Sequence, residues 1–437
     1  MSIKNILNKA ISDAESAEVY SVRRKSMQVS FENNEIKDSS SSDLGGTSIR
    51  LIKNGKLGFS SSSEPDDESI AKFALELAEH GKEVKFDFAS PSNVNPFKCD
   101  TSDLESLTED TIINSCEETV NELKKIHSDA LAQCSFNSQV TNSQILNSKG
   151  VDFGQTTKKI SWGCGLAYNT EGNFLNIDDY RIEREFTGFE PLVKQVKENF
   201  ELSQQNIDIQ PGKYRVLFSP RGFMNLITVF TACLNGFALI KGISPWKSKL
   251  GEKIFDEKIS IFSNLIDDDS PRKVAMDDEG VATGITPLIE KGVLKSFYHS
   301  LDTAAQTGQK PTGHGFKGSY ASVPSPTPAG FMFSAGESKL EDMTKDAELW
   351  VDELIGAMMS NPYTGVISGN AALVFKIEKG NKIGKIKDVM ISINVFDLFN
   401  SAVIASSIET EKRGYDPFFP LFRSPYFLID GVSLAAK

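Results

Sequence analysis

The feature that most constrains this chain is an apolar run from Leu226 to Ile240, about 15 residues long. It is entered through Ser219-Pro220-Arg221-Gly222, and Phe223, Leu226, Ile227, Phe230, Leu234 and Phe237 follow at helical spacing. A bilayer span needs about 20 apolar residues, and Thr228, Thr231, Asn235 and Gly236 interrupt this one. The run therefore predicts a helix buried in a protein core. The segment closes in a glycine-punctuated loop: Leu234-Asn235-Gly236, Lys241-Gly242 and Leu250-Gly251-Glu252-Lys253, ahead of Phe255.

A chain of 437 residues exceeds one ordinary core and suits two domains. The break falls at Pro211-Gly212-Lys213, giving an N-terminal domain over 1–210 and a C-terminal domain over 211–437. The net charge of -12 opposes docking on phosphates, which relies on Lys and Arg. Direct nucleic-acid binding is therefore not expected. Five cysteines (Cys99, Cys116, Cys134, Cys164, Cys233) are scattered without a Cys-x-x-Cys pair, as in a reduced, cytoplasmic protein. The start, Met1-Ser2-Ile3-Lys4-Asn5, lacks the apolar core of a signal peptide. Neither secretion nor membrane insertion is expected.

The first half alternates helical and strand patterns. Ile3, Ile6, Leu7, Ala10 and Ile11 mark a helix. Glu18–Val22 and Gln28–Phe31 alternate as strands, with turns at Asn33-Asn34 and Asn54-Gly55, where Asn and Gly tolerate positive φ. Thr47–Ile52 and Lys56–Ser61 form an antiparallel pair, and Asp66 to His80 a helix. Residues 85–105, rich in Pro, Ser and Asn, form a connector. Thr108 opens a long helix to about His127. Strands follow at Leu131–Val140, Ser143–Asn147, Lys159–Tyr168 and Phe174–Arg184, then a helix from Glu190 to Leu202. After the apolar helix come short strands: Val281–Ile285, Leu288–Glu290, Val293–Tyr298, Ala372–Glu378, Val389–Ile393 and Phe427–Val432. Pro324, Pro326 and Pro328 keep Ser322–Gly330 out of any central strand. The fold class expected is α+β: an N-terminal α/β-type domain with antiparallel strands and flanking helices, and a C-terminal β-rich barrel-like or curled-sheet domain.

The order and spacing of several segments resemble the TldD/PmbA family, also called TldD/TldE. They are Gly45-Gly46-Thr47-Ser48-Ile49-Arg50, Asn54-Gly55-Lys56-Leu57-Gly58-Phe59, Asn147-Ser148-Lys149-Gly150 and Gly212-Lys213-Tyr214-Arg215-Val216. Further on come Asp277-Asp278-Glu279-Gly280, Gly292-Val293-Leu294, Asp302-Thr303-Ala304-Ala305, Gly308, Thr312-Gly313 and Asn361-Pro362-Tyr363-Thr364-Gly365. The family's catalytic member carries His-Glu-x-x-x-His on the apolar helix. The Leu-x-Gly and Leu/Val-Gly-Glu landmarks put the first His on Ile227, the Glu on Thr228 and the second His on Ala232. That member takes a third zinc ligand from a Cys near its C-terminus, whereas no cysteine follows Cys233 here. The ending Ser424-Pro425-Tyr426-Phe427-Leu428-Ile429-Asp430-Gly431-Val432 resembles that of the PmbA/TldE branch. The resemblance implies a non-metal subunit of a cytosolic peptidase that acts on unfolded peptides. Zinc is then expected in a partner, a TldD-like paralogue, and not in this chain. The alternative is a stand-alone homodimeric binding or regulatory protein of the modulator of DNA gyrase type.

Zinc hydrolysis needs imidazoles or thiolates to hold the ion and a carboxylate to take a proton. Ile227, Thr228 and Ala232 supply neither, so no catalytic, cofactor-binding or metal-binding residue is expected here. Cys233 reads as a packing thiol. His299 and His314 read as locally bonded surface or loop histidines, although the Thr312-Gly313-His314-Gly315 loop leaves His314 a route to a cavity. Asp267-Asp268-Asp269 with Asp277-Asp278-Glu279 fits no EF-hand spacing and reads as solvated turns. No Gly-x-Ser-x-Gly elbow or phosphate-binding Gly-x-x-x-x-Gly-Lys-Ser/Thr loop is present. The late aromatic cluster (Phe418, Phe419, Pro420, Leu421, Phe422, Tyr426, Phe427) suits core and dimer interface equally.

Overall fold

In the computed structural model, residues 3–170, 173–387, 389–415 and 419–436 are described. Six strands form the first sheet: β1 (Ser16–Glu32), β2 (Glu35–Lys53), β3 (Lys56–Ser62), β4 (Leu131–Asn147), β5 (Asp152–Thr170) and β6 (Asn173–Glu183). The order is β3-β2-β1-β4-β5-β6, antiparallel throughout. The predicted turns hold, with φ of 52° and 70° at Asn33 and Asn34, and of 51° and 70° at Asn54 and Gly55. The strands are longer than the pattern suggests. Glu18–Val22 and Gln28–Phe31 belong to one strand, as do Leu131–Val140 and Ser143–Asn147.

One face of this sheet carries Val19, Val29, Phe31, Ile49, Leu51, Phe136 and Trp162. Helices α1 (Ile3–Ile11), α2 (Ser69–Ala78), α3 (Glu109–Lys124) and α4 (Glu190–Ser203) cover it. Helix α2 starts three residues later than expected for an Asp66 start. Thr108 caps α3, its hydroxyl accepting from Thr111 N at 3.3 Å. The opposite face presents Tyr20, Ile145 and Phe153 to Ala275 and Met276 of the C-terminal half.

The second sheet begins at β7 (Asn206–Ile207) and β8 (Gly212–Phe218). Helices α5 (Met224–Cys233) and α6 (Gly236–Ile240) follow, so the apolar run is two helices and not one. Next come β9 (Ile261–Asn264), β10 (Ile285–Glu290), β11 (Val293–Leu294), α7 (Leu301–Thr307), β12 (Gly315–Phe316), β13 (Ser325–Pro326) and β14 (Phe331–Phe333). The chain ends with α8 (Leu340–Asp346), β15 (Leu349–Ile355), β16 (Val366–Glu378), β17 (Asn381–Ile386), β18 (Val389–Asn394), α9 (Val395–Ser401), β19 (Val403–Tyr415) and β20 (Phe419–Ala436). Five of these strands close a ring: β8 pairs with β15, β15 with β16, β16 with β18, β18 with β20, and β20 with β8. The α+β reading and the barrel-like C-terminal half are thus both seen. Two expected strands differ: the segment before Ile285 is not strand, and the strand at Val293 has two residues. The proline stretch contributes only the two-residue β13, paired with β12. Among the described residues no helix is long and apolar enough to cross a membrane.

Helix α5 sits in the main core. The Phe223 ring, one residue before the helix, lies 5.0–6.3 Å from those of Phe230, Phe333, Phe399, Phe422 and Phe427. Phe422, Tyr426 and Phe427 of the late cluster are buried, so they are core. Phe418 lies outside the described residues, and so does the side chain of Phe419. Truncating a ring at such a junction leaves a cavity as well as losing transfer energy. Phe223→Ala is expected to lower unfolding stability by about 3–5 kcal/mol, measured by urea denaturation.

Candidate functional site

The entry to α5 is fixed by backbone contacts. Ser219 Oγ donates to Val351 O at 3.3 Å and accepts from Gly222 N at 3.1 Å. At Gly222 a Cβ would lie 2.2 Å from Val351 O, so no larger residue fits. Arg221 is 7% exposed and donates to the Asp178 carbonyl, to Asp178 Oδ1 at 3.1 Å and to Glu353 Oε2 at 2.8 Å. It thereby ties β6, the mouth of α5 and β15 together. Burial works against its charge, but Asp178 and Glu353 outweigh burial and hold the guanidinium charged. Next to it, Asp179 accepts from Arg413 at 2.6 Å and Arg181 at 2.9 Å. Burial would raise Asp179, but the Arg413, Arg181 and Arg221 charges hold it below the usual carboxylate range. Sequence reading does not single out Asp178 or Glu353. The available signal is Arg221 itself, a lone cation at the mouth of an apolar helix.

Beside this collar is a cleft of about 640 Å³, with Lys158, Arg181, Glu183, Arg184, Asp269 and Lys412 in its walls. Lys158 is paired with Asp103 at 2.6 Å and Lys412 with Glu183. The cleft therefore presents no single charge sign to a ligand.

The three positions singled out by the resemblance lie on α5. Ile227 is fully buried. Thr228 and Ala232 are half-buried and share a stripe with Met224. The Thr228 hydroxyl donates to Asn225 O at 2.7 Å, so its proton is spent within the helix. Ile and Ala carry no lone pair to give an ion. Cys233, the next side chain, packs 3.8 Å from Pro362 O, and burial pushes its thiol up to about 12. It stays protonated at neutral pH, in a form that neither attacks nor ligates. This donor set does not fit a zinc ion. Among the described residues no three His, Cys, Asp or Glu side chains are grouped to hold a metal. The C-terminal strand β20 does reach this helix, but through Phe427, whose ring meets Phe223 at 5.1 Å.

At the far end of α5, Asn235 caps α6 by accepting from Phe237 N at 2.8 Å. Gly236 packs against His299 so closely that a Cβ would lie 2.3 Å from Nδ1. His299 and His314 are both buried, which corrects the expectation of surface or loop histidines. His299 Nδ1 meets Thr303 Oγ1 at 3.2 Å, and its Nε2 has no hydrogen-bond partner among the described residues. His314 bonds through Nδ1 to Thr312 O at 2.8 Å and through Nε2 to Ser263 Oγ at 2.8 Å. Burial lowers both imidazoles to about 4.

These features meet a family signature. A family model described as the PmbA/TldA metallopeptidase C-terminal domain matches residues 211–436, and a second, PmbA/TldA metallopeptidase domain 1, matches residues 17–80. This chain belongs to the PmbA/TldD family. An uncharacterized protein of Methanocaldococcus jannaschii is 25% identical over 381 residues, covering 85% of this chain and 87% of that one. A metalloprotease of the same organism is 23% identical over 407 residues, covering 86% of each. TldE from Thermococcus kodakarensis shares the fold with a TM-score of 0.90 at 22% identity, over 100% of both chains. A candidate modulator of a DNA gyrase from Thermotoga maritima shares it with a TM-score of 0.87 at 20% identity, over 99% of both.

The family landmark Asp277-Asp278-Glu279-Gly280 is a turn, but a buried one, contrary to the solvated reading. Asp277 accepts from the backbone N–H groups of Glu279, Val281 and Gly315. Burial and the neighbouring Glu279 still push Asp277 well above the usual carboxylate range. Asp278 accepts from Lys317 N at 2.9 Å. Glu279 accepts from Leu301 N at 2.7 Å and from Arg50 at 2.9 Å, and Arg50 also grips Glu18 at 2.7 and 3.0 Å. These oxygens face N–H donors. Asp268 and Asp269 do lie exposed as expected.

The ion triad and the histidines each give a test. Removing one partner of a buried charge cluster strands the others without compensation. Arg50→Met is expected to cost about 3–5 kcal/mol, read from the urea midpoint. The folded histidines sit near 4, below the ordinary 6.5, so between those values the unfolded chain binds more protons. Stability should therefore fall as pH drops through that window, by up to about 1.4 kcal/mol per unit for each histidine. His299→Asn should flatten that acid limb relative to the parent, measured by denaturation at pH 7, 6 and 5.

Proposed function

We propose that this chain is the non-metal, non-catalytic subunit of a TldD/TldE-type peptidase complex, paired in the cytoplasm with a zinc-bearing TldD-like paralogue. One observation carries the reading: the family's helix is intact and seated in its core, yet it carries Ile227, Thr228 and Ala232 at the ligand positions. A helix kept in place with its donors replaced by packing groups serves as scaffold. The half-buried stripe of Met224, Thr228 and Ala232 has no group able to take a proton from water. Hydrolysis of unfolded peptides then belongs to the partner's zinc, and this chain completes the enclosure in which the peptide is held. The free cysteines suit a reducing compartment, and the net charge of -12 disfavours direct contact with nucleic acid.

Purifying the chain alone, its paralogue alone and the two together, each with metal analysis, separates the alternatives. The expected outcome is no bound zinc and no casein-peptide hydrolysis by this chain alone, and zinc-dependent, chelator-sensitive hydrolysis by the pair. Zinc-dependent hydrolysis by the lone chain would overturn the proposal. Failure to associate with the paralogue would favour a stand-alone homodimeric binding or regulatory protein.

A further inference from the structure

The glycine-punctuated segment that begins with α6 takes no part in the chemistry of α5, yet its surface stands apart from the rest of the chain. From Gly236 to Lys253 it carries Lys241, Lys247, Lys249 and Lys253 against one carboxylate, Glu252, in a chain of net charge -12. All four lysines are exposed, and none makes an ion pair among the described residues. Three large apolar side chains among them also face water: Phe237, Ile243 and Leu250 are 52%, 47% and 47% exposed. These groups are knit together locally. Lys241 Nζ lies 5.3 Å from the centre of the Phe237 ring, Ile243 N donates to Ala238 O at 3.1 Å, and Lys247 Nζ donates to Gly242 O at 3.3 Å. Buried anchors hold the segment from beneath. Ser244 Oγ donates to Cys233 O at 2.7 Å, Trp246 packs edge-on against Phe255 at 5.4 Å between centroids, and Gly251 N donates to Leu294 O at 2.8 Å. A preformed surface loses little freedom when a ligand settles on it.

We propose that this segment binds extended peptides that carry acidic and apolar side chains close together. Clustered exposed apolar groups mark a contact surface, and the ammonium groups around them select a ligand of opposite charge. Such a peptide can lay its apolar side chains on Phe237, Ile243 and the lysine stems, while the ammonium groups reach its carboxylates. Other occupants fit less well. A folded protein partner would be met by an interface centre poor in lysine, whereas here lysines surround every apolar group. Nucleic acid is repelled by the net charge of -12, and Ile243 and Leu250 offer no ring on which a base could stack. An anionic bilayer meets the same repulsion. The surface uses no residue of α5 and is independent of the peptidase reading.

Fluorescence anisotropy tests this with the full chain and a labelled peptide of Leu-Glu-Ser repeats, set beside peptides of Leu-Lys-Ser and Ser-Glu-Ser repeats. Saturable binding is expected for the first peptide alone, and it should weaken as salt rises from about 0.05 to about 0.5 M. Lys241→Glu with Lys247→Glu should raise Kd about tenfold, and so should Phe237→Ser with Ile243→Ser. Lys194→Glu with Lys339→Glu changes the net charge equally at exposed sites on other elements and should leave Kd unchanged. The substituted side chains are all exposed, and an unchanged circular dichroism spectrum checks that each variant is folded. Four results would each overturn the proposal: no binding of the Leu-Glu-Ser peptide, equal binding of the Leu-Lys-Ser peptide, equal weakening by the Lys194 and Lys339 pair, or tighter binding of single-stranded DNA or phosphatidylserine vesicles than of the peptide.

Discussion

The C-terminal half is organised by the need to bury one helix that carries no charge between Met224 and Cys233. Such a helix gains little from water and is stable only when packed on most sides. The five-strand ring supplies one wall through Val216, Phe218, Val351 and the phenylalanines of β20, and the phenylalanines of β14 and α9 supply another. Polar contacts act only at its two ends. Arg221 with Asp178 and Glu353 fixes the entry. Tyr298 Oη donating to Thr231 O at 2.7 Å, with Ser244 Oγ donating to Cys233 O at 2.7 Å, fixes the exit. Dry packing sets the depth of the helix, and the end contacts set its register.

That division also describes how the two halves of the chain hold together. The N-terminal sheet meets the C-terminal half through buried charged groups as well as apolar ones. Arg221 reaches into β6, Arg413 binds Asp179, and Arg50 binds Glu279. A buried ion network demands correct geometry more than it adds net stability. It therefore suits a seam whose orientation matters, as when a fold must present a defined face to a partner.

Much of the fold was legible because local chemistry dictates it. Asn33-Asn34 and Asn54-Gly55 announced hairpins, Thr108 announced a helix, and the apolar run announced a core. The strand lengths were not legible. Arg23–Ser26 and Lys37–Asp43 are polar on both faces, so the alternation that marks a half-buried strand vanishes where the hairpin overhangs. The buried charges were hidden for another reason. Arg50 and Glu279 are 229 residues apart, and each alone looks like surface. Apolar flanks, Val274-Ala275-Met276 and Val281, were the only local hint that Asp277–Glu279 lies inside. Of the candidate site, the helix and the chemistry of Ile227, Thr228 and Ala232 could be read directly. The burial of His299 and His314 could not, since it depends on Gly236 and Ser263 arriving from elsewhere.

The closure of the ring has a consequence for how the protein is made. β20 is the last strand among the described residues, and it pairs with β8, β14, β18 and β19. Until Phe419–Ala436 has left the ribosome, the ring is open between β8 and β18, and Phe223 lacks Phe422 and Phe427. The N-terminal sheet, built from neighbours in sequence apart from β1 with β4, can form while synthesis continues. The apolar helix, made long before β20, must wait. During synthesis this chain therefore carries an unburied hydrophobic segment for longer than almost any other part of it, and chaperone demand should concentrate there.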